Sequence, residues 1–173
     1  HEKVEKKFAK FVGKETAILF TTGHHSNIGA ISSLVGKNDI VITDKLDHAS
    51  IIDGCRLALG EMVRFRHNDM SDLERQLIKN KDASAIIVVD GVFSMEGDIT
   101  NLPEIVKLAK RYGVRIFVDE AHSLGVLGER GTGTGEHFGL QSDVDVVMAT
   151  ASKSLASIGG FIASSNEVIE YIK

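Results

Sequence analysis

The stretch AIIVVDGVFSMEGDITNLPEIVKLAKRYGVRIFVDEAH, residues 85–122, holds a complete strand–helix–strand unit, and its reading decides the class of fold. AIIVVD (Ala85 to Asp90) and most of VRIFVDE (Val114 to Glu120) are apolar on consecutive residues, as in strands covered on both faces. Pro103 to Tyr112 reads as the helix between them. Asn101 is placed to cap it, Pro103 suits the first turn, and Glu104 completes an Asn-x-x-Glu capping box. Working outward, AILF (Ala17 to Phe20), DIVIT (Asp39 to Thr43), MVRF (Met62 to Phe65), VDVVMAT (Val144 to Thr150) and GGFIAS (Gly159 to Ser164) read as further strands. Helical patterns fall at Glu2 to Phe11, Ser26 to Leu34, Ala49 to Leu59, Ser71 to Lys79 and Asn166 to Ile172. This alternation predicts a doubly wound α/β domain with helices on both faces of its sheet.

Composition narrows the function. The 173 residues are 43% hydrophobic and 25% charged, which suits one packed core and excludes a disordered chain. Lys plus Arg number 20 against 24 Asp plus Glu, without a like-charge block, so the footprint expected of a nucleic-acid binder is missing. A single cysteine, Cys55, excludes an internal disulfide framework and fits a reducing compartment. No apolar run approaches the roughly 18 residues of a spanning helix, and the charged start HEKVEKKFAKF lacks a signal-peptide layout, so a cytoplasmic protein is expected. The chain opens in one helical pattern and closes in another, YIK, with no cap; it is expected to be part of something longer.

Ligands of open α/β sheets lie beyond the carboxyl ends of the strands, so the residues following each strand carry the functional reading. TTGHHSN (Thr21 to Asn27) follows the first strand and opens a helix whose free amides suit a phosphate, or simply a capped helix start. DKLDHAS places His48 at the mouth of the next helix, where a surface or capping role is the plainer alternative. DGVFSMEGD puts Ser94 and Glu96 on a loop that is otherwise a polar turn. VDEAH ends a strand on Asp119, with His122 three residues on; a carboxylate there needs a positive partner, and a structural salt bridge would serve as well. ATASKSLASIGG sets Thr150 and Ser152 before Lys153, among small residues, a setting that lowers a lysine pKa; an exposed loop lysine is the alternative. Together, a lysine, an acid and an anion-binding turn at strand ends are what pyridoxal phosphate needs. No H-E-x-x-H or Walker pattern occurs, no metal site is expected, and LGERGTGTG (Leu127 to Gly135) reads as a mobile loop.

These motifs, in order, resemble the α-oxoamine synthases, the fold type I pyridoxal-phosphate enzymes that include serine palmitoyltransferase, 8-amino-7-oxononanoate synthase, glycine C-acetyltransferase and 5-aminolevulinate synthase. The resemblance runs through EKKFAKFVGKETAILFTTG, DHASIIDGCRL, FRHNDMSDLE, DGVFSMEGDITNLPEIV, VDEAHSLGVLGERGTGTGEHFGL and TASKSLASIGGFIA. SKSLASIGGF and RFRHNDMSDLE look most like bacterial serine palmitoyltransferases. His24 departs from the aromatic residue usual after the glycine of the first turn, and Ala149 and Ala151 flank Thr150 where the family pattern differs.

The resemblance implies a three-layer, mostly parallel, seven-stranded large domain spanning residues 1–173, with an N-terminal arm and a C-terminal domain belonging to the full protein, and a homodimer. It implies Lys153 as the Schiff-base lysine and Asp119 as the partner of the ring nitrogen. His48 would stack on the ring, and His122 and Ser94 would bond its phenolic oxygen. Thr22, Gly23 and His24 would form the phosphate turn, with Thr150 reaching the same group. The implied reaction condenses an amino acid with an acyl-CoA, usually with decarboxylation, to give an α-amino ketone. A fold type I aminotransferase and a non-catalytic partner subunit that keeps the fold are the alternatives; the HNDM and SLASIGGF segments argue against the first and the presence of Lys153, Asp119 and His48 against the second.

Overall fold

The computed structural model describes all 173 residues. In chain order it has α1 (Glu2–Val12), β1 (Thr16–Phe20), α2 (Gly23–Leu34), β2 (Asp39–Asp44), α3 (Ala49–Leu57), β3 (Glu61–Phe65), α4 (Met70–Lys79), β4 (Ser84–Asp90), α5 (Leu102–Tyr112), β5 (Arg115–Asp119), the short α6 (Thr134–His137), a 3-10 turn at Gln141–Asp143, β6 (Val146–Thr150), β7 (Gly160–Ser164) and α7 (Asn166–Ile172). The strands form one seven-stranded sheet in the order β1-β7-β6-β5-β4-β2-β3. Pairing is parallel from β3 through β6, while β7 is antiparallel to both β6 and β1. The expected three-layer α/β architecture is therefore the one observed.

The continuous apolar runs have a direct cause: each strand feeds two cores. In β4, Ile87 and Val89 join the cluster that holds Leu73, Leu77 and Ile105 of α4 and α5, whereas Val88 joins the one that holds Ile31, Ile51 and Cys55 of α2 and α3. In β5, Ile116 and Val118 divide from Phe117 in the same way. A period of two with both faces buried leaves no polar alternation to see. The assignment of helices to faces follows from crossover handedness. The chain moves one way across the sheet from β1 to β2 to β3, with α2 and α3 on one face. It returns the other way from β3 to β4 to β5, with α4 and α5 on the opposite face, as right-handed crossovers require. No helix is long and apolar enough to cross a membrane.

Local details depart from the sequence reading in places. Helix α2 begins at Gly23, not Ser26, because Thr22 caps it, its hydroxyl accepting from His25 N at 3.0 Å. The capping box at α5 does not form: Asn101 makes no side-chain cap bond, and Glu104 pairs with Lys107 instead. The segment Leu127 to Gly135, expected to be a mobile loop, is tied at several points. Glu136 accepts from Arg130 N and Thr132 N, each at 3.0 Å, and buried Glu120 accepts from Thr134 N at 2.8 Å and Gly135 N at 3.1 Å. Two carboxylates from outside the segment satisfy amides that the glycine-rich backbone leaves free.

Candidate active site at the carboxyl edge of the sheet

Strands β1 to β6 all end at one edge, where β7 begins. A cleft of about 220 Å³ opens there, and Thr22, Gly23, His24, His48, Asp119, His122, Thr150 and Lys153 all line it, together with Ser50 and Asp90. The geometry thus brings together every residue expected at the site except Ser94, which is exposed on the β4–α5 loop and does not line the cleft. A larger cavity of about 370 Å³ lies at the opposite edge, bordered by the Arg115–Asp145 ion pair, and holds none of these residues.

Asp119 ends β5 and is 3% exposed. Its Oδ1 accepts from Ala121 N at 2.9 Å and its Oδ2 from Asn27 Nδ2 at 2.7 Å. Burial pushes the carboxyl above the usual range, and these two bonds, with the positive charge of Lys153, pull against that rise. Asn27 also donates to Ser50 Oγ at 2.8 Å, and Ser50 Oγ lies 2.8 Å from His48 Nδ1. The N–H of Ser50 donates to the same ring nitrogen at 3.2 Å, so His48 caps α3 through Nδ1 and carries its ring proton on Nε2. His48 N in turn donates to Asp90 Oδ2 at 2.7 Å. His48 is therefore held directly to Asp90 by its backbone and indirectly to Asp119 by its ring, through Ser50 and Asn27, and the two acids are register partners on adjacent strand ends.

Lys153 sits on the loop between β6 and β7, where its amine meets His122 Nε2. Loss of hydration lowers the Lys153 pKa, against the opposing pull of Asp119 and Asp90. His122 is lowered as well, by burial first and then by the Lys153 charge. Both shifts run toward the neutral amine and the neutral imidazole, the direction that suits nucleophilic and proton-transfer work.

The turn at Thr22 and Gly23 packs directly on β6 and β7. A Cβ at Gly23 would lie 2.9 Å from Thr150 Cβ, and one at Gly160 would lie 2.8 Å from Gly23 Cα. Two glycines thus allow the turn and the start of β7 to touch, leaving the first amides of α2 open toward the cleft. His24, where relatives were expected to carry an aromatic, stands edge-on to His48 with ring centroids 6.5 Å apart and is paired with Asp53 at 3.2 Å. Thr150 is buried and donates to Gly159 O at 3.1 Å, closing the lysine loop at its base.

Asn27, Ser50 and Asp90 were absent from the sequence reading. Burial marks Asn27 and Ser50 only once the fold is known, since a buried polar group requires a partner.

Comparison with known proteins shows the family. The family model described as aminotransferase class I and II matches residues 1–173. A serine palmitoyltransferase of Sphingobacterium spiritivorum is 55% identical over 174 residues, covering 100% of this chain and 44% of the relative. An 8-amino-7-oxononanoate synthase of Thermoanaerobacter pseudethanolicus is 47% identical, covering 99% and 44%. A high-resolution structure of SPT with PLP internal aldimine superposes with a TM-score of 0.95 at 44% identity, over 99% of this chain and 44% of that one. The chain thus spans less than half the length of the relatives it matches.

Proposed function

Because the chain belongs to the aminotransferase class I and II family, we propose that it is the pyridoxal-phosphate-binding large domain of an α-oxoamine synthase, which condenses an amino acid with an acyl-CoA. The products are an α-amino ketone, free CoA and, in the decarboxylative case, carbon dioxide. The observation that carries this reading is one cleft in which a buried carboxylate without a cation of its own, Asp119, faces a lysine whose charge is disfavoured by desolvation. The residues fit the cofactor: Asp119 supplies the anion that a ring nitrogen needs, and the Thr22–Gly23 turn, packed too closely on Thr150 to admit a Cβ at Gly23, lines the same cleft.

When bound, pyridoxal phosphate supplies an aldehyde that captures a primary amine and a ring that accepts the electron pair left when the amino-acid Cα loses a substituent. Every other task falls to the chain. The Thr22 hydroxyl and the first amides of α2, from Gly23 and His24, hold the phosphate, with Thr150 beside them. Asp119 keeps a proton on the ring nitrogen. The flat imidazole of His48 covers one ring face, its angle fixed by Ser50 and Asp90. Lys153 Nζ would be the primary amine that holds the aldehyde and, as a free amine, would take the Cα proton, a role suited to a lysine of lowered pKa. His122, in contact with Nζ, would orient it and face the phenolic oxygen of the ring; Ser94, which lies outside the cleft, would reach that oxygen only with movement of its loop.

Relatives matched over less than half their length support placing further domains in the whole protein. The resemblance to the α-oxoamine synthases supports a homodimer for the whole protein. The single free, buried Cys55 supports a cytoplasmic setting.

The test uses the full-length protein. Added pyridoxal phosphate is expected to become fixed to the wild type by borohydride and not to Lys153→Ala, and CoA thiol is expected to appear when an amino acid and an acyl-CoA are both present. Failure of wild-type fixation would sink the cofactor reading. Fixation with transamination and no thiol release would replace the synthase by an aminotransferase.

A further inference from the structure

The HNDM segment (His67 to Met70) has no part in the chemistry proposed above, yet its residues are unusually well engaged. His67 lies between two carboxylates: Nδ1 is 3.0 Å from Asp44 Oδ1 at the end of β2, and Nε2 is 2.9 Å from Asp98 Oδ2 on the loop that leaves β4. A neutral imidazole would turn a lone pair toward one of these oxygens. Only the doubly protonated ring donates to both. Phe93, from the same loop, meets the ring edge-on at a centroid distance of 4.5 Å.

Asn68 reinforces the arrangement. It adopts a left-handed backbone, φ 48°, which turns its N–H to Asp44 Oδ2 at 2.8 Å and its amide to Asp98 Oδ2 at 2.9 Å and Ile99 O at 3.2 Å. Asn101 N donates back to Asn68 Oδ1 at 3.1 Å. Asp69 then caps α4 by accepting from Asp72 N at 2.9 Å. The neighbouring cation, Arg66, is turned away and engaged by Asp69 and Asp72, so the charge between Asp44 and Asp98 is that of His67.

We propose that His67 is a charged latch that fixes the Gly91–Thr100 loop to the end of β2, and with it the backbone that carries Ser94 away from Asp90. The role of Ser94 rests on the cofactor reading above; the latch itself does not. The loop is a closed unit for the latch to hold, because Val92 and Ile99 form an antiparallel bridge and Thr100 N donates to Gly91 O at 3.0 Å. Burial works against a charge on His67, but the hydrogen bonds and charges of Asp44 and Asp98 outweigh it and raise the pKa. With a raised folded value, the latch is complete below the ordinary histidine range and opens as pH rises through the folded value.

The full-length protein tests this by histidine nitrogen NMR and by hydrogen exchange normalised to intrinsic rates. Both ring nitrogens of His67 are expected to be protonated at neutral pH. Exchange across residues 91–100 is expected to quicken about tenfold or more in His67→Leu, because charge-assisted bonds are lost, while residues 127–135 are unchanged. Asp98→Asn, at a half-exposed position, is expected to shift the same amides less and carries the test if His67→Leu does not fold. Wild-type protection of the loop should fall as pH rises through the His67 pKa, and the Leu variant should show no such step. A neutral His67 ring at neutral pH, or a loop equally protected in wild type and both variants, overturns the latch. A loosened loop with unaltered cofactor binding upholds the latch and removes Ser94 from the cofactor reading.

Discussion

Gly160→Ala is the most demanding test of how the anion-binding turn is built. A Cβ at this position would meet Ser26 Oγ at 2.5 Å, Gly23 Cα at 2.8 Å and Gly23 N at 2.9 Å. Ser26 is a side chain and can rotate; the Gly23 atoms are backbone. Ordinary carbon contacts lie at roughly 3.5–4.0 Å, so the turn must retreat from β7 by about 0.7 Å or more. Overpacking of this kind costs about 1–3 kcal/mol. If the turn relaxes in the free protein but must return to hold a phosphate, that cost appears in binding, where 1.4 kcal/mol is tenfold, as about a 5- to 150-fold weaker affinity. The assay is an absorbance titration of full-length Gly160→Ala with pyridoxal phosphate, alongside a denaturant titration without it. Wild-type affinity with wild-type stability would refute the close packing of the turn on β7. Lost stability with intact affinity would refute its role in holding the phosphate.

The remaining expectations each turn on one residue. Desolvation favours the neutral amine of Lys153, so in the cofactor-free protein its modification by an amine-selective reagent should reach half its plateau at a lower pH than that of exposed lysines; coincident curves would contradict the lowered pKa. Asn27→Leu removes the donor that helps keep Asp119 ionised, so the pH below which pyridoxal phosphate binding is lost should move upward in a titration series; an unmoved acid limb would dismiss Asn27. Glu120→Ala strands Thr134 N and Gly135 N, at about 1–3 kcal/mol for each donor left without a partner. Exchange across residues 127–135 should quicken, and unchanged protection there would mean the loop is held by other contacts.

The fold was legible because its signals are local. Strands such as Ala85 to Asp90 are apolar on both faces, and turns between them carry glycine, so element type and order could be read from neighbouring residues. The misses were also local competitions whose winner depends on distant groups. Asn101 has a capping side chain, but its own N–H is taken by Asn68, 33 positions away, and its backbone settles at φ −77° and ψ 61° rather than in the extended geometry of a cap. The glycine-rich loop reads as mobile because glycine frees the backbone; what restrains it is Glu120, a strand-end residue whose burial gave no sequence signal of its own.

The site divides along the same line. Asp119 and Lys153 were visible because each breaks a pattern: an acid closing an apolar strand, and a lysine among small residues. Asn27 and Ser50 break no pattern, since polar residues are common near helix N-termini. What gives them a role is topology. The two crossovers that place α2 and α3 on one face bring their first turns over the end of β5, so that Asn27 reaches an acid 92 residues away. Buried at 0% and 2% exposure, both side chains would be costly there without partners. Their presence therefore follows from the acid and the histidine they join: with Asp119 buried and the His48 ring turned to Ser50, something must satisfy both, and a hydroxyl and an amide do so without adding charge beside the lysine.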